Sequence, residues 1–280
     1  MWSIIVGDWH FKELSLSITH LAERLKEMGF SGMEVGIVSP AEQLNLERMT
    51  ELQIVLTKIE VPLLTFFLVP RLWPQMALTS HDASVRKKAV LDAKSVGDAA
   101  QRLGMKMVGF WPGGDILTQE NFSQRWSWMT EGLSEILEHF DRLGLKLAFE
   151  YKPEELVHTS DGLLRIVDQL KANNLGLLLD TGHLFVAGED PAVVAEKFRE
   201  KLYYVHFDDN FGDWDRDLPP GRVHNFLPFV KKLKKIGYTG FFGLDLSAYV
   251  WGNRVDPVEA CLEGKSYLES ITHEFEEKRY

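Results

Sequence analysis

Short apolar runs alternate with amphipathic stretches along the whole chain. The runs fall at Ile4–Gly7, Met33–Ile37, Pro62–Val69, Lys106–Phe110, Leu145–Phe149, Leu177–Leu179, Leu202–Val205 and Phe241–Leu244. They are short and greasy on successive positions, which predicts strands buried on both faces rather than half-exposed ones. Between them the period changes to that of a helix. Ile18, Leu21, Leu25 and Met28 share one face, with Ser17 as the cap and Gly29 as the stop. A less regular helix is predicted over Ala41–Lys58. Asp82 precedes a helix that buries Val85, Ala89, Val96, Ala100 and Leu103. A longer one buries Trp126, Met129, Leu133, Ile136, Leu137 and Phe140. Ser160, Asp190-Pro191 and Asp256-Pro257 start three more.

Eight such β-α units predict an α/β protein, a single (β/α)8 TIM barrel over residues 1–280. The rival is a doubly wound sheet. It calls for a glycine-rich phosphate turn after the first strand, and Gly7-Asp8-Trp9-His10-Phe11 is not one. Charge narrows the partners: acids outnumber bases 41 to 31, for a net charge of −10, which argues against a nucleic-acid backbone. No apolar run is long enough for a bilayer, so no membrane partner is expected. The start, Met1-Trp2-Ser3-Ile4-Ile5, lacks the basic opening and cleavage site of a signal peptide. Cys261 is the single cysteine and has no internal disulfide partner. These features predict a cytoplasmic protein.

In a barrel the residues just past each strand converge on one mouth. Here strand five supplies Glu150 and Lys152, strand six Asp180 and His183, and strand seven His206. The following loop carries Asp213, Asp215 and Asp217, and strand eight ends in Asp245. Asp180 ends a buried run, with Thr181-Gly182 predicted to turn His183 toward the same cavity. A buried acid needs a hydrogen bond, a salt bridge or a metal ion to stay charged. Two like charges about 4 Å apart repel by roughly 4 kcal/mol at an effective dielectric near 20. A divalent cation relieves that repulsion and uses the histidines too. Oxygen-rich ligands with one or two imidazoles suit Mn2+, Mg2+ or Co2+.

Each member also has a plain structural explanation. Asp180 can cap the next loop, Glu150 can pair with Lys152, Asp215 and Asp217 can be turn acids, and His206 can be a satisfied core histidine. Trp9, Trp73, Trp111, Trp214 and Trp251 gather after strand ends, where indole faces suit an apolar sugar face or simply pack the loops. Gly113-Gly114 reads as a tight turn more than a phosphate cradle. A free sugar is therefore the expected substrate.

These residues carry a family resemblance. The chain resembles the xylose-isomerase-like barrels, a superfamily that includes sugar isomerases, ketose 3-epimerases and endonuclease IV. Within it the pattern is most similar to the two-metal aldose–ketose isomerases of the xylose and rhamnose type. It is carried by Glu150-Tyr151-Lys152-Pro153, Asp180-Thr181-Gly182-His183, Asp215-Arg216-Asp217-Leu218 and the segment Thr79–Arg86. The resemblance implies a first ion on Glu150, Asp180, His206 and Asp245. It implies a second on His183, Asp215 and Asp217, with Asp180 shared. Glu150, Lys152 and Asp217 would be the catalytic groups, Lys152 donating to the substrate carbonyl oxygen. The xylose enzymes have an aspartate two residues past position 206, here Asp208; the rhamnose type favours His206 itself.

A ring-opening histidine expected after strand two is replaced by Val35-Gly36-Ile37-Val38. His10 or His81 is the substitute, with His10 otherwise a capping residue. Trp9, Trp111 and Trp214 complete the expected substrate wall. The leading expectation is a sugar isomerase with one or two Mn2+, Mg2+ or Co2+ ions, built as a homodimer or homotetramer by resemblance. The runner-up is a ketose 3-epimerase, with Glu155 as an extra substrate-facing acid. A DNA-repair endonuclease would want zinc-binding histidines on strands two and three and a basic rim. A non-catalytic sugar-binding barrel would show no metal-supplemented turnover.

Overall fold

A computed structural model describes residues 2–68, 78–112, 121–153 and 155–277. Eight parallel strands are hydrogen-bonded in sequence order as a closed barrel: β1 (Ile4–Gly7), β2 (Gly32–Ile37), β3 (Leu63–Leu68), β4 (Met107–Phe110), β5 (Lys146–Glu150), β6 (Leu175–Asp180), β7 (Leu202–Phe207) and β8 (Phe242–Leu244). The helices are α1 (Ile18–Glu27), α2 (Pro40–Gln43), α3 (Leu46–Ile54), α4 (Ala83–Arg102), α5 (Phe122–Arg142), α6 (Ser160–Leu170), α7 (Thr181–Val186), α8 (Pro191–Lys197), α9 (Leu227–Lys235), α10 (Ser247–Asn253) and α11 (Pro257–Glu277). This is the (β/α)8 architecture that the alternation predicts. Among the described residues no helix is long and apolar enough to cross a membrane. Arg71, Trp73 and Gly113-Gly114 fall outside the described residues.

Two compact units are present, residues 35–177 and residues 1–34 with 178–280. In the first, β3, β4 and β5 pair in parallel, with Thr65 opposite Met107 and Met107 opposite Lys146. Helix α4 starts on Asp82, whose carboxylate accepts from Ser84 N at 2.7 Å. Trp126 is buried on α5, its indole N–H donating to Gln169 Oε1 at 2.8 Å. The irregular helix of Ala41–Lys58 resolves into α2, α3 and a π-helical turn at Val55–Ile59.

In the second unit β1 lies between β2 and β8, and β7 pairs with β8 so that His206 faces Gly243. Two local expectations are corrected here. Strand seven does not stop at Val205 but runs to Phe207, so His206 sits inside the strand. Its side chain shares the face of Tyr204, two residues earlier. Thr181-Gly182 is no turn: β6 runs directly into α7, because Asp180 has extended backbone and caps the helix with its own side chain.

Candidate metal centre

Asp180 is the hub of the second unit. Its Oδ1 accepts from His183 N at 2.8 Å, the capping role, and lies 3.7 Å from His183 Nδ1. Its Oδ2 lies 3.7 Å from His206 Nδ1. The cap uses one oxygen, and the other lies toward His206. The helix it starts brings His183 Nε2 to 3.0 Å from Asp215 Oδ2.

Asp208, set aside in the sequence in favour of His206, stands beside it in the structure. Alternation along β7 and its extension puts both side chains on one face, so neither replaces the other. Asp208 Oδ1 accepts from Gly182 N at 2.7 Å and from Thr181 Oγ1 at 3.1 Å. Asp208 Oδ2 is buried and has no hydrogen-bond partner among the described residues. Burial, then the charges of Asp180, Asp215 and Asp217, hold this carboxyl well above the usual carboxylate range, and the Gly182 N–H offsets only part of that.

Asp180, His183 and Asp215 can each offer an atom within 4.8 Å of the others, and so can Asp208, Asp215 and Asp217. A buried, orphaned carboxylate oxygen among like charges fits a cation. The donor set of carboxylates plus one imidazole fits Mn2+, Mg2+ or Co2+.

Asp215 and Asp217 are held by a built loop. Asp209 and Leu218 exchange backbone hydrogen bonds of 2.8 Å across its neck. Asp209 is fully buried, its Oδ2 accepting from Val223 N (2.7 Å) and His224 N (3.0 Å). Its Oδ1 accepts from Asn210 N (3.0 Å) and pairs with His224 Nδ1 (2.7 Å). The His224 ring stacks on Phe185 at 3.8 Å. Asp217 has φ 47°, a left-handed conformation in which Asp and Asn are enriched, and its Oδ2 accepts from Ala248 N at 2.6 Å.

Removing the Asp209 carboxylate strips a partner from the buried Asn210 N–H and from the part-buried N–H groups of Val223 and His224, and a buried group left unsatisfied costs about 1–3 kcal/mol. Asp209→Ala should thus lower stability in urea by roughly 3 kcal/mol. A loss below about 1 kcal/mol would show that the neck holds without it.

Asp245, just past β8, accepts at Oδ1 from Ser247 Oγ (2.6 Å), Ser247 N (3.2 Å) and Trp9 Nε1 (3.4 Å). Its Oδ2 is 4.0 Å from His206 Nδ1. Trp9 therefore reaches the centre by holding Asp245, with its ring edge-on to His206 at 6.3 Å.

His10 is buried between β1 and the segment after β8. Its Nδ1 lies 2.8 Å from Gly7 O, and its Nε2 accepts from Leu246 N at 2.8 Å and lies 3.5 Å from Asp245 Oδ1. His81 sits edge-on to Trp128 at 5.6 Å, and its Nε2 lies 3.5 Å from Arg125 Nη2. Both partners belong to α5, which places His81 against a helix. Trp214 is 56% exposed, more a surface side chain than a closed wall. In the first unit Glu150 is buried at the end of β5, and Lys152 Nζ lies 4.9 Å over the Trp111 ring.

One buried acid escaped the sequence: Glu34, inside β2 and fully buried. Its Oε2 accepts from Tyr204 OH and lies 3.0 Å from His206 Nε2, which in turn is 2.7 Å from Tyr204 OH. Burial raises its pKa, while His206, by charge and hydrogen bond, and Tyr204 pull it back. The available signal was a lone charge within the apolar run Gly32-Met33-Glu34-Val35.

A family model for the xylose isomerase-like TIM barrel matches residues 22–271. An uncharacterised protein of Methanocaldococcus jannaschii is 29% identical over 279 residues, covering 94% of this chain and 88% of its own. An inosose dehydratase of Clostridium perfringens is 25% identical over 278 residues, covering 88% and 86%. The crystal structure of a D-tagatose 3-epimerase-like protein superposes with a TM-score of 0.81 at 26% identity, over 98% of this chain and 99% of its own. With its closed eight-stranded barrel and a family match over nearly its whole length, the chain belongs to the xylose isomerase-like TIM barrel family.

Proposed function

We propose that the chain is a divalent-metal-dependent ketose 3-epimerase, moving a proton at a carbon beside a carbonyl. The observation that carries this is the set around Asp180: its Oδ2 and that of Asp245 lie 3.7 and 4.0 Å from His206 Nδ1, too far to bond one another and spaced to share an ion. Asp180, His206 and Asp245 are the ligands assigned to it, with Glu150 the fourth by the family resemblance of the sequence. Held by these residues, a Mn2+, Mg2+ or Co2+ ion would supply Lewis acidity at the substrate carbonyl and so lower the barrier to removing the neighbouring proton.

Asp245, ending β8, is one of the two carboxylates that exchange the proton, and Glu150, ending β5, is the other by the family resemblance of the sequence. With Oδ1 of Asp245 tied to Ser247 and Trp9, its Oδ2 is the oxygen assigned to that work. Lys152 donates to the substrate oxygen, and Trp111 offers a stacking face. His183, Asp208, Asp215 and Asp217 are the ligands of a second ion.

The likeness to the D-tagatose 3-epimerase-like protein supports epimerisation over the aldose–ketose isomerisation expected from the sequence motifs. Dehydration of a keto-cyclitol is the second candidate activity, supported by the inosose dehydratase matched over 88% of the chain. Both reactions start by removing a proton next to a carbonyl and differ in the fate of the adjacent hydroxyl.

Incubation with ketohexoses and Mn2+ in D2O should yield the C3 epimer carrying deuterium at C3. EDTA should stop the reaction and Mn2+ restore it. An aldose product, water loss from an inosose with inert ketohexoses, or turnover indifferent to EDTA would each overturn the epimerase assignment.

A further inference from the structure

We propose that Asp209 is a positioning residue for the second ion: it locks the loop carrying Asp215 and Asp217 to the helix carrying His183, so that the site is already assembled in the metal-free protein. This rests on the assignment of His183, Asp208, Asp215 and Asp217 to that ion. Successive side chains of an extended segment point to opposite sides. Asp208 turns toward Gly182 and the acidic cluster, so Asp209 turns away from it, fully buried and in none of the groups that could hold an ion. Its two oxygens serve the loop instead. Oδ2 takes the N–H groups of Val223 and His224, where the loop returns, and Oδ1 takes the N–H of Asn210, where it leaves. With the main chains of Asp209 and Leu218 paired as well, residues 210–223 close on one carboxylate.

The same neck grips α7 at two points. Asn210 Nδ2 donates to Gly182 O at 3.0 Å while Asp208 Oδ1 accepts from Gly182 N, so both main-chain groups before His183 are held. Three residues on, Phe185 lies flat against the His224 ring, with centroids 3.8 Å apart and planes 12° from parallel. His224 is fixed from behind, its main-chain N–H and its Nδ1 both on Asp209. His183 stands between these grips in sequence, and Asp215 stands inside the closed loop; the two meet at 3.0 Å. A loop fixed in its binding form beforehand spares the ligand the cost of ordering it.

Asparagine tests this, because it matches the shape of aspartate but accepts at one oxygen only. The three main-chain N–H groups are divided between both oxygens, so in Asp209→Asn an NH2 group faces at least one of them and the neck opens. The measurement is Mn2+ titration of metal-free wild type, Asp209→Asn and Asp215→Asn, with amide hydrogen exchange of the same metal-free samples. Wild type should bind two ions and protect the amides of Leu218, Val223 and His224 before any metal is added. Asp209→Asn should lose that protection and bind the second ion about 10- to 100-fold more weakly, the scale for residues that orient metal ligands, with the first ion unchanged.

Faster loop exchange with both affinities unchanged would make Asp209 merely structural and overturn the proposal, as would equal weakening of both ions. Binding of two ions by Asp215→Asn at wild-type affinity would instead overturn the second-ion assignment beneath it. Should Asp209→Asn not fold, His224→Phe keeps a ring on Phe185 and removes the Nδ1 contact. Weaker binding of the second ion alone is expected there too, and unchanged binding would overturn the proposal.

Discussion

Asp180→Asn should leave the metal-free protein at least as stable as wild type and abolish both metal retention and turnover. The two effects part because Asp180 does two jobs with two oxygens. The amide keeps an oxygen to accept from His183 N, so the α7 cap survives; alanine would lose it, at a cost of about 1 kcal/mol. The amide removes a charge from beside Asp208, whose carboxyl is pushed up by burial and by Asp180. Relief of that repulsion stabilises the metal-free state.

The loaded state loses the ligand common to both candidate ions. At a metal concentration 100 times Kd, binding stabilises wild type by about 2.7 kcal/mol, and the variant should show none of this. Thermal unfolding with and without Mn2+, next to a turnover assay, measures all three quantities. A variant that still gains stability from Mn2+ and still turns over would remove Asp180 from the centre.

Gly182→Ala should be among the most damaging single-methyl changes in the chain. Helix propensity alone favours alanine in α7 by about 1 kcal/mol. Geometry opposes it: a Cβ there would lie 1.7 Å from Asp208 Oδ2, 2.7 Å from its Cγ and 3.0 Å from Asn210 Nδ2. The Asp208 carboxylate has nowhere to retreat, since Oδ1 is bonded to Gly182 N and Thr181 Oγ1. Overpacking of this kind costs about 1–3 kcal/mol or more.

The carboxylate that must move is also the orphaned one at the second cluster, so Mn2+ stoichiometry should drop together with stability. Gly252→Ala on α10 is the control. A Cβ there meets nothing within 4 Å, so propensity acts unopposed and stability should hold or rise. Equal effects from the two substitutions would show that Asp208 does not lie against α7.

The residues themselves explain why parts of this site could be read in advance. Leu177-Leu178-Leu179 running into Asp180 announces a buried strand ending in an acid, whatever surrounds it. Ser17, Asp82, Asp190-Pro191 and Asp256-Pro257 start helices through contacts within a few residues. Such local rules do not reach Glu34, which meets a partner 172 positions away. Nor do they weigh His206 against Asp208, because a motif offers positions one at a time while a strand presents both on the same face. His10 meets Gly7, Leu246 and Asp245 only because β1 and β8 are adjacent, which its residue type does not announce.

The sequence by itself determined the barrel, the order of its elements and the strand ends that carry acids, since hydrophobic period and caps are local properties. Only the tertiary structure decided that Asp208 keeps one buried oxygen without a hydrogen bond among the described residues, that Glu34 meets His206 and that Gly182 must lack a Cβ. Those depend on strand register and on side chains far apart in the chain meeting within a few ångströms.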